Sequence, residues 1–206
     1  MVDAGTLMLT EETLVEGLRE GKNWAFREVL NRYGPALLGY AKRLVGDRDE
    51  AEEVVQDAIV AILHHIERFE GRCSIRSWLF RIVHHKAIDH LRRTSRFVKA
   101  PDQEPYAESF ETGGHWKDTP ASWGRNPESQ ADARKMLELI RDLIEQLPNN
   151  YKEIIMLREI YQMDTQEICN VLEVSSVHAR VMLHRARQAL YKLLEQALQE
   201  PVESLM

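Results

Sequence analysis

Between residues 97 and 129 the chain loses the means to build a core, and that interruption constrains what can fold on either side. Four of the seven prolines (Pro101, Pro105, Pro120, Pro127) fall there with the pair Gly113-Gly114, and large aliphatic residues almost vanish. A stretch with so little to bury cannot offset the entropy of ordering its backbone, and it reads as an extended linker. Trp116 and Trp123 are out of character for a pure spacer and mark a part able to dock on a domain or a partner. The flanking segments must therefore fold separately.

Both flanks carry the helical period. Over 24–45 the apolar set Phe26, Val29, Leu30, Tyr33, Leu37, Ala41, Leu44 recurs at steps of three and four, and Gly46 ends it. Over 49–69 the set is Val54, Val55, Ala58, Ile59, Ile62, Ile66, Phe69, closed by Gly71. A third helix over 75–91 buries Ile75, Leu79, Ile82, Val83 and Leu91, and the same spacing puts the Trp78 ring in the core. Beyond the linker the pattern resumes at Ala131 with Met136, Leu137, Ile140, Leu143, Ile144 and Leu147, stopped by Pro148-Asn149. A short helix over 152–161 follows. Asp164 and Glu167 then stand in capping-box spacing before a helix to Leu172, and a long helix fills 176–198. No convincing strand alternation exists. The expectation is an all-α chain of two small helical domains, 12–96 and 130–200, joined by the flexible linker 97–129.

The 206 residues are 44% hydrophobic and 29% charged, the balance of a soluble globular protein. No apolar run approaches the ~20 residues of a membrane span, so no stable membrane insertion is expected. Residues 1–10 lack the basic start and apolar core of a secretory signal, and a cytoplasmic location is the default. Cys73 and Cys169 lie far apart without a C-x-x-C partner, which suggests neither a disulfide framework nor a zinc knuckle.

A formal net charge of −6 argues against nucleic acid until its distribution is read. Residues 47–57 hold six acids (Asp47, Asp49, Glu50, Glu52, Glu53, Asp57) and one base, Arg48. Residues 72–99 reverse the sign: eight basic residues (Arg72, Arg76, Arg81, Lys86, Arg92, Arg93, Arg96, Lys99) face the single acid Asp89, with three histidines and Trp78, Phe80 and Phe97 among them. Residues 174–194 carry four basic residues (Arg180, Arg185, Arg187, Lys192) and no acid. Two basic surfaces, one per domain, would grip phosphates in a salt-dependent, bivalent manner. Each run alone is equally consistent with a solvated helix face.

Residues 165–194 have the layout of a helix-turn-helix, with Ile168, Cys169 and Leu172 turned inward on the supporting helix. Arg180 and Arg185 can each donate two hydrogen bonds to a guanine edge, Ser176, His178 and His184 lie near the same end, and Arg187 and Lys192 suit phosphates. A free-standing helix-turn-helix regulator is one alternative, although it would have no use for the acidic face at 49–57. A helical metalloenzyme built on His64-His65, His84-His85 and Asp89 is another, but adjacent histidines point to different sides of a helix and chelate poorly.

The acidic run at 49–57, the helix from Arg76 to Arg93 and the helix-turn-helix at 165–194, taken in that order, make nearly the whole chain resemble the extracytoplasmic-function sigma factors of bacterial RNA polymerase. The run Asp49-Glu50-Ala51-Glu52-Glu53-Val54-Val55-Gln56-Asp57 is similar to that family's D-A-E-D-x-x-Q-[DE] helix. Arg76-Ser77-Trp78-Leu79-Phe80-Arg81-Ile82 with Ala87-Ile88-Asp89-His90-Leu91-Arg92-Arg93 resembles its W-L-x-x-I…I-D-x-x-R-R helix. Leu147-Pro148, Glu167-Ile168-Cys169 with Leu172, and Leu183-His184-Arg185-Ala186-Arg187 with Leu190 look like its fourth domain. In order and at these spacings the motifs are specific.

The resemblance implies a protein that is no enzyme, needs no cofactor or metal and has no catalytic residue. Its implied partners are core RNA polymerase (the β′ and β subunits), promoter DNA and an anti-sigma factor. Asp49, Glu50, Glu53, Gln56 and Asp57 would meet the β′ clamp helices. Arg72, Ser74, Arg76, Trp78, Arg81, His85, Arg92 and Arg93 would meet the −10 element through the loop and helix over 69–93, with the loop capturing a flipped base. Ser176, His178, Arg180, His184, Arg185 and Arg187 would meet the −35 element. The sequence departs from the family's T-V-K-S-R at His178-Ala179-Arg180-Val181-Met182, which bears on the −35 sequence read, and Glu173 stands where Gly is frequent. Trp116, Trp123 and Glu167-Ile168-Cys169 are reminiscent of a subgroup encoded beside small zinc-binding anti-sigma factors.

Overall fold

The structure, a computed structural model, describes residues 10–94 and 130–199, all helix and connection. The helices are α1 (Glu11–Arg19), α2 (Asn23–Val45), α3 (Arg48–His65), α4 (Ile75–Arg93), α5 (Gln130–Glu145), α6 (Asn149–Ile155), α7 (Thr165–Leu172) and α8 (Ser176–Gln199). A 3-10 turn, Ile66–Arg68, follows α3, and a π turn, Met156–Ile160, follows α6. The 97–129 segment read as a linker lies outside the described residues. Contacts divide the chain into two compact units, one holding α1–α4 with Met163–Val174, the other holding α5, α6 and α8.

The helix starts follow from capping. Thr10 accepts from the Thr13 amide at 3.2 Å, Asp47 from the Asp49 and Glu50 amides at 2.9 and 3.0 Å, and Ser74 from the Ser77 amide at 3.2 Å. Each satisfies an amide that has no partner inside its helix. The Asp164–Glu167 capping box expected from sequence forms in full, with reciprocal bonds of 2.8 and 3.1 Å. Gly46, at φ +88°, ends α2 by donating to the Lys42 carbonyl at 2.8 Å.

Helix α2 continues through Pro35, a defect worth about 3 kcal/mol in a helix interior. Fully burying Val29, Leu37, Tyr40 and Val45 along the same helix offsets this, at about 1.5–3 kcal/mol for each large apolar side chain. In the first unit α2, α3 and α4 pack on one another around Tyr40, Ala41, Ala51, Ala58, Ile75, Leu79, Phe80 and Val83. The Tyr40 and Phe80 rings sit 5.2 Å apart, tilted by 46°. In the second unit α8 presents Ala186 and Ala189, both fully buried, on the face that packs against α6. Small residues there let the axes approach, and Leu143, Ile144, Leu147, Ile154, Ile155, Met156 and Leu157 complete that core.

Three details differ from the sequence reading. Helix α1 was not anticipated. The helix read over 49–69 gives way after His65 to the 3-10 turn, which keeps Ile66 and Phe69 buried with a tighter backbone. The short helix read over 152–161 begins earlier, directly after Pro148, and finishes as the π turn.

Candidate nucleic-acid interface

Helix α3 sorts its acidic residues by register. Asp49, Glu53 and Gln56 are exposed and spaced four and three apart, so they form one stripe on the helix surface. Glu50 and Asp57, from the same predicted set, turn toward α4. Glu50 Oε2 lies 3.1 Å from Nε2 of His90, whose side chain is only 7% exposed, and Asp57 Oδ2 lies 3.9 Å from Arg93 Nη2. Past the stripe, Val60 and Leu63 are exposed apolar residues that sequence reasoning did not single out. Leu63 joins Phe26, Val29, Leu30, Ile59 and Ile62 around a cavity of about 370 Å³ between α2 and α3. The signal was present in the sequence as apolar positions beyond those the core could use.

The loop into α4 carries the first cationic group. Arg72 is mostly exposed and its Nε donates to Glu70 Oε2 at 2.6 Å. Gly71 supplies a φ of +72°, which lets the loop turn. Ser74 caps the helix, and Trp78 is buried with its ring 5.3 Å from that of Phe69. Arg68, Phe69, Arg72, Cys73, Trp78 and Arg81 are among the residues lining a cavity of about 350 Å³ beside this loop. Burial pushes the Cys73 thiol above its ordinary range; Arg81 pulls it down and Glu11 pushes it further up. That environment keeps Cys73 a thiol and gives it no nucleophilic activation.

Along α4 the residues predicted to meet the −10 element keep carboxylate company. Arg81 Nη1 is 3.8 Å and His85 Nε2 3.4 Å from the Glu173 carboxylate, within the same unit. Arg92 Nη1 is 3.7 Å from Asp89 Oδ1. The Arg76 guanidinium lies 5.9 Å from the centre of the Phe80 ring. Asp57, Lys86, Asp89, Arg92 and Arg93 together line a shallow groove of about 340 Å³.

Helix α8 is different at its start. The Ser175 hydroxyl accepts from the His178 amide at 3.2 Å, and no acidic residue stands in the first turn. Ser176, His178 and Arg180, from the predicted −35 set, are exposed. So are Val177 and Val181, at 67% and 37%, one helical turn apart. Sequence reasoning left Val177 out of the site, although both valines fall off the buried face marked by Ala179, Ala186 and Ala189. Exposed aliphatic side chains beside Arg180 suit thymine methyl groups in a major groove. Further along, Arg185 is half-buried and His184 is paired with the Gln188 side chain. Arg187 Nη2 is 2.5 Å from Glu159 Oε1, which ties it to the π turn.

The Sigma-70 region 2 family profile matches residues 29–97, and the Sigma-70 region 4 profile matches residues 137–190. The chain is 30% identical over 199 residues to the RNA polymerase sigma-H factor of Pseudomonas aeruginosa, covering 94% of this chain and 100% of that one. It is 28% identical over 183 residues to the ECF RNA polymerase sigma-E factor of Escherichia coli K12, covering 88% and 93%. Among solved structures it is similar to CnrH in complex with the cytosolic domain of CnrY, at 25% identity and a TM-score of 0.62, covering 90% and 97%. The fold is also that of RpoE from Bartonella quintana, solved with the anti-sigma factor NepR, at 20% identity and a TM-score of 0.57.

Proposed function

Because this chain belongs to the sigma-70 family, as an extracytoplasmic-function sigma factor carrying regions 2 and 4, we propose that its separated acidic and basic surfaces divide the work of initiation among α3, α4 and α8. A sigma factor is not an enzyme; it lends promoter specificity to RNA polymerase. The exposed stripe Asp49, Glu53, Gln56 docks on the β′ clamp helices, while Glu50 and Asp57 hold α3 to α4 through His90 and Arg93. The loop 69–74 and α4 engage the −10 element, with the loop cavity as the receptacle for an extruded base. The first two turns of α8 read the −35 element, Arg180 through hydrogen bonds to a base edge and Val177 and Val181 through apolar contact.

The functional boundaries are 12–96 for the second sigma domain, 97–129 for the linker and 130–200 for the fourth. The region 4 match, which spans 137–190 and so includes α7, supports grouping α7 with α8 in the last. An anti-sigma factor covers one or both surfaces; RpoE from Bartonella quintana, which shares the fold, was solved with the anti-sigma factor NepR. That this partner is a small zinc-binding protein rests on Trp116, Trp123 and the Glu167-Ile168-Cys169 motif alone. No helix among the described residues is long and apolar enough to cross a membrane, and we place the protein in the cytoplasm with the polymerase.

The observation that carries this reading is the reversal of sign between the exposed stripe of α3 and the acid-free first turns of α8. Run-off transcription with purified bacterial core polymerase, on the promoter upstream of the gene, tests it. A specific start that requires this protein supports the assignment. Glu53→Lys should weaken core binding roughly tenfold, since charge reversal at a complementary interface costs on the order of a kcal/mol or more. Unchanged core affinity in that variant would remove α3 from the interface.

A further inference from the structure

Helix α1 contributes nothing to either cationic surface, yet its two ends reach both ends of the loop proposed to meet the −10 element. At its C-terminal end Arg19 Nη2 donates to the Phe69 carbonyl. At its N-terminal end Glu11 Oε1 accepts from the Ile75 amide at 2.5 Å. Ile75 opens α4, so its amide has no acceptor within the helix, and the Ser74 hydroxyl is already committed to the Ser77 amide. The first turn of α4 holds no acidic residue. The negative charge that a helix N-terminus favours therefore comes from other elements: Glu11 of α1, which takes the Ile75 amide, and Glu167 of α7, whose Oε1 lies 3.4 Å from the Ser74 and Ser77 hydroxyls.

Between these two fixed points the chain has little of its own to hold it. Phe69 is buried against Trp78, but Glu70, Gly71 and Arg72 are exposed and Cys73 is half-buried. Helix α1 is itself anchored by Leu14 and Leu18, which are 0% and 1% exposed. It is also anchored by Gly17, where an added Cβ would lie 2.5 Å from Trp24 Cζ2 and 2.9 Å from the Ala25 Cβ.

We infer that α1 is a strut for promoter reading: Glu11 and Arg19 are positioning residues that fix the two ends of the 69–75 loop. They thereby set the shape of the cavity that selects the −10 base. This rests on the proposed assignment of the loop to the −10 element. Neither residue touches DNA; both act through the Phe69 carbonyl and the Ile75 amide.

The test uses the full chain assembled with core polymerase on the promoter found by run-off. The readout is the ratio of affinities for premelted fragments that differ at one −10 base of the non-template strand. Glu11→Ala and Arg19→Ala should each lower that ratio about tenfold, against a discrimination of roughly one to two orders of magnitude per specified base. Core affinity and discrimination at the −35 duplex should stay within about twofold of the parent, since neither surface is held by these bonds. Arg19→Lys should regain most of the ratio, because one N–H is enough for one carbonyl. The loop variants Arg72→Ala and Glu70→Ala separate the two layers of the argument. If they change the −10 ratio while the Glu11 and Arg19 variants do not, the strut is wrong and the loop assignment stands. If the loop variants leave the ratio unchanged, the loop assignment falls and takes the strut with it. Parallel loss of core, −10 and −35 binding in Arg19→Ala, without recovery in Arg19→Lys, would reduce α1 to a plain stabilising element.

Discussion

The cationic surface of α4 and the one at the start of α8 read alike in sequence and differ in three dimensions. On α4 and its loop, Arg72, Arg81, Arg92 and Arg93 each lie within 4 Å of a carboxylate, from Glu70, Glu173, Asp89 and Asp57 respectively. On the first turns of α8, Ser176, His178 and Arg180 stand exposed with no acid in the first turn. A cation already paired must exchange its partner for a phosphate, so its net gain is a difference between two interactions. A cation facing water gives up only hydration. Counting basic residues therefore overstates one surface relative to the other.

The contrast is sharpest at Arg180. Arg180→Ala should lower run-off from the cognate promoter by roughly tenfold to a hundredfold, the value of one good bidentate base contact. Core binding by the same variant should be unchanged; a loss below about twofold at the promoter would erase the contrast. Next comes Glu50→Ala, which leaves the almost buried His90 without its carboxylate partner. It should lower unfolding stability by about 1–3 kcal/mol in a denaturant titration, whereas Asp49→Ala on the exposed stripe should change it by less than about 0.5 kcal/mol. If the two variants unfold alike, Glu50 belongs with the docking stripe. Arg72→Ala should weaken binding to premelted −10 DNA only severalfold and reduce the salt slope by about one counterion, because part of its charge is already answered by Glu70. The smallest effect is expected for Glu70→Gln, where releasing Arg72 should raise affinity for the same fragment by less than about threefold, in line with the 0–1 kcal/mol of an exposed pair. A fall in affinity there would mean the pairing orients Arg72 for DNA instead of competing with it.

Much of the architecture was legible because long amphipathic helices advertise themselves. The apolar steps over 24–45 and 75–91 correspond to α2 and α4, and the inward Trp78 followed from its spacing with Ile75 and Leu79. Helix α1 was passed over although Thr10, Glu11-Glu12, Leu14, Val15 and Leu18 spell out a cap and an apolar face. At nine residues it is too short to stand alone, and its stability comes from packing that a local pattern does not contain. The division of α3 into exposed and α4-facing acids was equally hidden. Glu50 and Glu53 look interchangeable in sequence, and only the interhelical register that brings His90 within 3.1 Å tells them apart. The first two turns of α8 were half legible: the basic residues stood out, but Val177 gained meaning only once the buried face of the helix was known.

Gly17 gives the molecule a point of fragility far from any nucleotide. The missing side chain lets two helices nest, and the nearest obstacles to a methyl group are the Trp24 ring and the Ala25 Cβ, the second of which cannot swing aside. In a lineage drifting under mutation, a single carbon gained there would tilt the hairpin that carries Glu11 and Arg19. With α1 acting as the strut proposed above, the change would register as altered dialect among promoters on top of a loss of stability, so genetic screens for relaxed specificity should find hits at a residue with nothing to offer DNA.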